Sequence, residues 1–224
     1  MTQPTPEMQE EFEGHIRMRR IRTLSKVVGG NAVLGAMSFV GAAFGGGNVS
    51  VAEGLHDSSD AATHSADLAG VAARNNKLKK ALRYVAGGGV VAVNVGFMWK
   101  AGIDLSSGAS EVPEVAPIVT QTVVAGANVG IHTVHDKEQH EIAHEIEEAK
   151  AAGYDTSMLE DDEHMSGAHT HTKGDAIVSP LLLGGMVLAY ATKIPEFGDA
   201  FAMGGAGYTA YLNSRELLKP AHKH

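Results

Sequence analysis

Charge is distributed along this chain so as to leave long windows empty. Residues 27–52 hold no Lys, Arg, Asp or Glu, and neither do residues 84–99, 115–131, 176–192 and 200–214. About 20 residues of helix cross a bilayer, so the first window is long enough alone and the others, rich in Gly and Ala, are slightly short. A further stretch, residues 52–73, is apolar except for a regular set of acids and histidines. The mean hydropathy of -0.06 is low for a membrane protein, because charges crowd the connectors. The expectation is an all-α fold, a six-helix transmembrane bundle. The competing reading is a soluble protein with Ala-rich core helices.

Basic residues separate these readings. If the six segments cross alternately, one side receives Arg17, Arg19, Arg20, Arg22 and Lys26, then Arg74, Lys77, Lys79, Lys80 and Arg83. The same side receives Lys137, Lys150 and Lys173, then Arg215, Lys219 and Lys223. Only Lys100 and Lys193 of the 18 Lys and Arg fall opposite. That asymmetry follows the positive-inside rule and predicts both termini cytoplasmic in a multi-pass protein of the cell membrane. The RMRRIR stretch is read as a topology signal, with contact to anionic headgroups as the alternative. The acidic, polar first residues give no expectation of a cleaved signal peptide. Glycines in the first and third segments, Gly29, Gly30, Gly35, Gly41, Gly45 and Gly87 to Gly89, are expected to let helices approach closely in lipid.

The predicted organisation follows. Residues 1–26 form a cytoplasmic tail, 27–136 transmembrane helices one to four, and 137–170 a cytoplasmic His/Glu-rich loop. Residues 171–215 form helices five and six, and 216–224 a cytoplasmic tail.

The chain has no Cys, so any metal is held by His, Asp and Glu. A net charge of -8 with one Trp argues against a nucleic-acid partner. On the second segment, Glu53, His56, Asp57, Asp60, His64 and Asp67 fall at helical spacing along one stripe. Ionisable groups within a membrane are costly and point to a functional site facing the bundle interior. His-x-x-x-Asp occurs there as His56 and Asp60, and again as His171 and Asp175 before the fifth window. Residues four apart on a helix share a face. Two such helices facing one another supply two imidazoles and two carboxylates, a set suited to zinc and similar divalent ions.

The run from Asn31 to Asp60, NAVLGAMSFVGAAFGGGNVSVAEGLHDSSD, resembles the first two transmembrane helices of the cation diffusion facilitator family. HTKGDAIVS, His171 to Ser179, is similar to that family's fifth helix, and Asn128 and the His-rich segment also fit its layout. The resemblance covers residues 17–218 by layout, with its specific motifs confined to helices two and five. It implies that His56, Asp60, His171 and Asp175 are transport-site ligands. It also implies that a divalent cation, most often zinc, leaves the cytoplasm in exchange for protons, in a homodimer. The ion is then cargo, with no prosthetic group and no enzymatic activity expected. Glu53 stands where the family usually has Asp, and Lys173 lies between the two helix-five ligands. The sequence stops at His224, before the family's C-terminal cytoplasmic domain, so a dimer is expected through the membrane part.

Secondary metal candidates are Glu53, His64, His132, Asp136, His140 and His144. His132, His135 and Asp136 end the fourth window, where they would gather metal at the cytoplasmic mouth. HEIAH, with His140, Glu141 and His144, matches the zinc-peptidase pattern in which Glu activates water. In so His- and Glu-rich a segment that match arises readily from composition, and its surroundings, KEQHEIAHEIEEAKAAG, read as a solvated helix with only Ile142 and Ile146 on an apolar strip. HTHTKGD and the terminal HKH could each hold nickel or copper loosely, as exposed His clusters do, and that is the expectation for His222 and His224. The other functional reading is a membrane protein that binds or buffers metal at the same ligands without transporting it.

Overall fold

The computed structural model describes residues 4–73, 76–160 and 163–218. Side chains within 73–83 are described only in part, and those of 158, 160, 163–171 and 216 not at all. The described residues are all-helical, without strands: α1 (Pro6–Gly41), a π-helical turn (Ala42–Gly46), α2 (Gly47–Ala73), α3 (Asn76–Ser107), α4 (Val115–Ala151), α5 (Ser157–Glu160), α6 (Glu163–Thr192) and α7 (Glu196–Leu218). Within them, the stretches Pro6–Ala72 and Thr172–Thr192 are long and apolar enough to cross a membrane.

Hydropathy marked the apolar parts of these helices but not their ends. The segment expected as a tail is helical from Pro6, because Thr5 caps the first turn and Pro6 has the right φ for a first helical position. The first window is not one span. It overruns the end of α1 at a turn where Gly45 and Gly47 adopt φ of +87° and +56°, a region that favours glycine. Residues 137–170, expected as a loop, are for the most part helical. Ile142, Ile146 and Ala149 fall on one buried strip of α4, and Arg19 donates to Glu138, Glu141 and Glu145 along it. The helix stops where Gly153 turns into positive φ.

α2 is the central helix, packed on α1, α3, α6 and α7, while α4 lies against α1 and α6. One apolar core joins Val49 and Ala52 of α2 to Phe97, Ala101, Val178, Leu182, Met186, Ala202 and Ala206. A second joins Ile16, Leu24, Val71, Ile142, Ile146 and Leu159 at the other end of α2. There Arg17 donates to the Val71 and Ala72 carbonyls that end α2, and Arg20 to the Leu159 carbonyl at 2.7 Å. At the opposite end Asn48 bridges Asp104 (2.8 Å) and Asp199 (2.9 Å), with Lys100 on both Asn48 and Asp104.

The glycines divide. A Cβ on Gly35 would sit 2.7 Å from Ser58 Oγ and 3.2 Å from the Ser58 backbone nitrogen, so α1 and α2 touch through that gap. Around Gly29, Gly88 and Gly89 there is open space instead.

Between the two cores the interior is polar and the outside is apolar. Asn31, Ser50, Glu53, His56, Asp57, Asp60, His64, Gln121, Asn128, Asp175 and Ser179 are all buried. Val33, Val40, Val85, Trp99, Val119, Val123, Leu181 and Val187 are exposed.

Candidate metal centre

All six members of the α2 stripe, Glu53, His56, Asp57, Asp60, His64 and Asp67, are buried. Spacing explains this: groups three and four apart on α2 face the same neighbours, here the helices that enclose it. From the facing helix α6, Asp175 enters the same space. His56 Nε2 lies 2.9 Å from Asp175 Oδ1 and 3.8 Å from Asp60 Oδ2. One ligand atom from each of His56, Asp60 and Asp175 lies within 4.8 Å of the others, and their exposures are 3 %, 0 % and 1 %. An ion about 2.0–2.2 Å from each atom fits such a spread. The close contacts of Asp175 are thus with the other two candidate ligands, His56 and Asp60, and an ion seated among the three would take the place of those contacts.

The fourth expected ligand, His171, lies on α6 one turn before Asp175, but its side chain is outside the described residues. Lys173, between them in sequence, is exposed and so turned away from the buried centre. His222 and His224 also lie outside the described residues.

The ring of His56 is held from behind. Thr209 Oγ1 on α7 lies 2.8 Å from His56 Nδ1 and 3.1 Å from the Gly205 carbonyl. A hydroxyl has one proton, and donating it to that carbonyl leaves a lone pair for Nδ1–H. Nε2 then faces Asp60 and Asp175 as the nitrogen available to a metal or a proton. Thr209 was invisible in the sequence, since a neutral Thr inside an apolar window gives no signal.

A second polar knot lies on the same stripe. Asn128 Nδ2 on α4 is 3.2 Å from Glu53 Oε1, 3.0 Å from Asp57 Oδ1 and 2.7 Å from Ser179 Oγ. Asn128 and Ser179 thus join α4 and α6 to α2 beside the metal centre. Pro180, which follows Ser179, lacks the amide that would bond the carbonyl one turn back, leaving α6 short of one internal bond there.

The remaining candidates are not brought to this centre. His132 is half-buried, with Nδ1 3.4 Å from Thr172 Oγ1, and His64 is buried further along α2. His140 turns to the Asp136 carbonyl at 2.8 Å, and His144 lies 3.6 Å from Glu148, both exposed. Glu141, the base that a peptidase would need, is instead bonded to Arg19 at 3.0 Å. Among the described residues, His56, Asp60 and Asp175 form the one metal-capable group of His and carboxylates. No protein-family model matches this chain, and no curated protein matches it in sequence.

Proposed function

We propose that the chain is a multi-pass membrane exporter of a divalent cation, zinc by its donor set, exchanged for protons at His56, Asp60, His171 and Asp175. The observation that carries this is the meeting of His56, Asp60 and Asp175 from two helices inside a bundle whose interior is polar and whose exterior is apolar. A soluble bundle has the reverse arrangement, whereas an ion path through lipid calls for this one. The six-segment layout, the alternation of basic connectors and the resemblance to cation diffusion facilitators support the same reading. On it both termini are cytoplasmic, and two copies associate through the membrane part.

The chemistry needs no covalent step. Neutral imidazole and ionised carboxylates hold the ion, and protons arriving at Nε2 and the carboxylate oxygens compete for the same lone pairs. Loading one side and protonating from the other exchanges ion for protons. The experiment is zinc flux into proteoliposomes under a pH gradient, comparing the natural chain with Asp60→Ala. Gradient-dependent flux lost in the variant is the expected result. No flux in either, with zinc still bound and the protein inserted, overturns transport in favour of metal buffering.

A further inference from the structure

Glu53 and Asp57 share the buried stripe but belong to the second knot rather than to the His56 centre. Both are 0 % exposed; Glu53 has the buried Gln121 and Ser179 beside it as well as Asn128, and Asp57 Oδ2 has no hydrogen bond among the described residues. Asn128, 1 % exposed, aims its amide at both: three acceptors crowd Nδ2 while its own Oδ1 has no partner. Half a turn of that amide would place Oδ1 where Nδ2 now stands, facing Glu53, Asp57 and Ser179. The knot would then offer two carboxylates, an amide oxygen and a hydroxyl, with no nitrogen donor.

Charge points the same way. Glu53, Asp57, Asp60 and Asp175 converge from α2 and α6 in the interior, where each must either hold a proton or, when ionised, meet a cation. Among the described residues Arg20 is the only buried Arg or Lys, and it serves the Leu159 carbonyl at the end of the bundle. One divalent ion at His56, Asp60 and Asp175 balances two of the four carboxylates and leaves Glu53 and Asp57. We propose that Glu53, Asp57, Asn128 and Ser179 form a second cation site beside the first, taking a hard divalent ion such as manganese or magnesium through oxygen alone. Oxygen donors select this class, as imidazole selects zinc. The site goes beyond the transport reading, which uses neither Glu53 nor Asp57.

The test uses the full chain in detergent, loaded with zinc and then titrated with Mn2+, the free ion being read by its electron paramagnetic resonance. The natural chain is expected to take up Mn2+ without releasing zinc. Glu53→Gln should lose this uptake, and Asp60→Asn, which loses zinc, should keep it. Ser179→Ala should weaken it about 10- to 100-fold, and it answers the question alone if Glu53→Gln does not fold. Mn2+ that displaces zinc, or that survives Glu53→Gln and Ser179→Ala, overturns the proposal, as does no uptake at all. Failure of the zinc reading looks different: zinc is not held while Mn2+ uptake remains.

Discussion

Thr209 Oγ1 lies 2.8 Å from His56 Nδ1, so a hydroxyl on α7 orients the imidazole that α2 presents to the metal centre. Thr209→Val keeps the shape and removes the acceptor. Zinc affinity is expected to fall about 10- to 100-fold in chelator competition, with Thr209→Ser close to the natural chain. Equal affinity in Thr209→Val would mean that the ring is oriented by its packing alone.

Metal and fold are linked through the same residues. An ion that binds only the folded chain stabilises it by about 2.7 kcal/mol at a hundredfold excess over Kd. Zinc should therefore raise the melting temperature, and a chelator should reverse the rise. Asp175→Asn should abolish the shift, since the amide keeps the size of the side chain but not the anionic ligand. A full zinc shift in Asp175→Asn would place the bound ion elsewhere.

At the α1–α4 junction, the Arg19 guanidinium holds the Glu138 carboxyl below its ordinary value of 4.5, first through their hydrogen bond. A carboxyl depressed in the fold adds stability that is fully present above its unfolded pKa and is lost as pH falls through the folded one. The pair is part-exposed, so the effect is about 0.2–1 kcal/mol. Hydrogen exchange over 137–151 should quicken as pH is lowered beneath 4.5, once corrected for intrinsic rates. Arg19→Gln should remove that dependence, and an unchanged profile in the variant would exclude the pair as its source.

Two glycines give opposite expectations. Gly35→Ala drives a methyl to within 2.7 Å of Ser58 Oγ and against α2 backbone, and should cost about 1–3 kcal/mol. Gly29→Ala meets nothing within 4 Å and should gain up to about 1 kcal/mol from helix propensity. Thermal melts of the two variants compare them directly, and equal shifts would contradict the close approach of α1 to α2.

Much of the architecture was legible in the sequence because charge and spacing carry it. The empty windows mark helical cores, and the stripe on α2 names the face that is buried. Spacing alone pairs His56 with Asp60 and His171 with Asp175, since residues four apart share a helix face, whereas the meeting of α2 with α6 had to be taken from the repeat of the motif and the family resemblance. Thr209 and Gln121 gave no such signal, as neutral side chains in apolar windows look like packing, and Ser179 stood out only as the end of the HTKGDAIVS run. Gly45 was read with the packing glycines, although with Gly47 it makes the turn between α1 and α2, because composition does not distinguish a positive φ from a close contact. The helical extension of α4 was legible as a polar helix with Ile142 and Ile146 on one strip, but its docking on α1 was not, because so narrow a strip, with Ala149 as its third member, does not announce a partner.

The inverted polarity of the bundle bears on how its sequence can drift. If lipid is the outer solvent, as proposed above, positions such as Val85, Val119 and Leu181 need only remain oily, and one aliphatic residue there is nearly as good as another. The interior has no such latitude, because Asn128 alone holds Glu53, Asp57 and Ser179, and a change there leaves the others unpaired. Saturation mutagenesis should therefore give a tolerance map turned inside out relative to a water-soluble bundle, permissive where side chains are bare and intolerant around a hydrophilic heart.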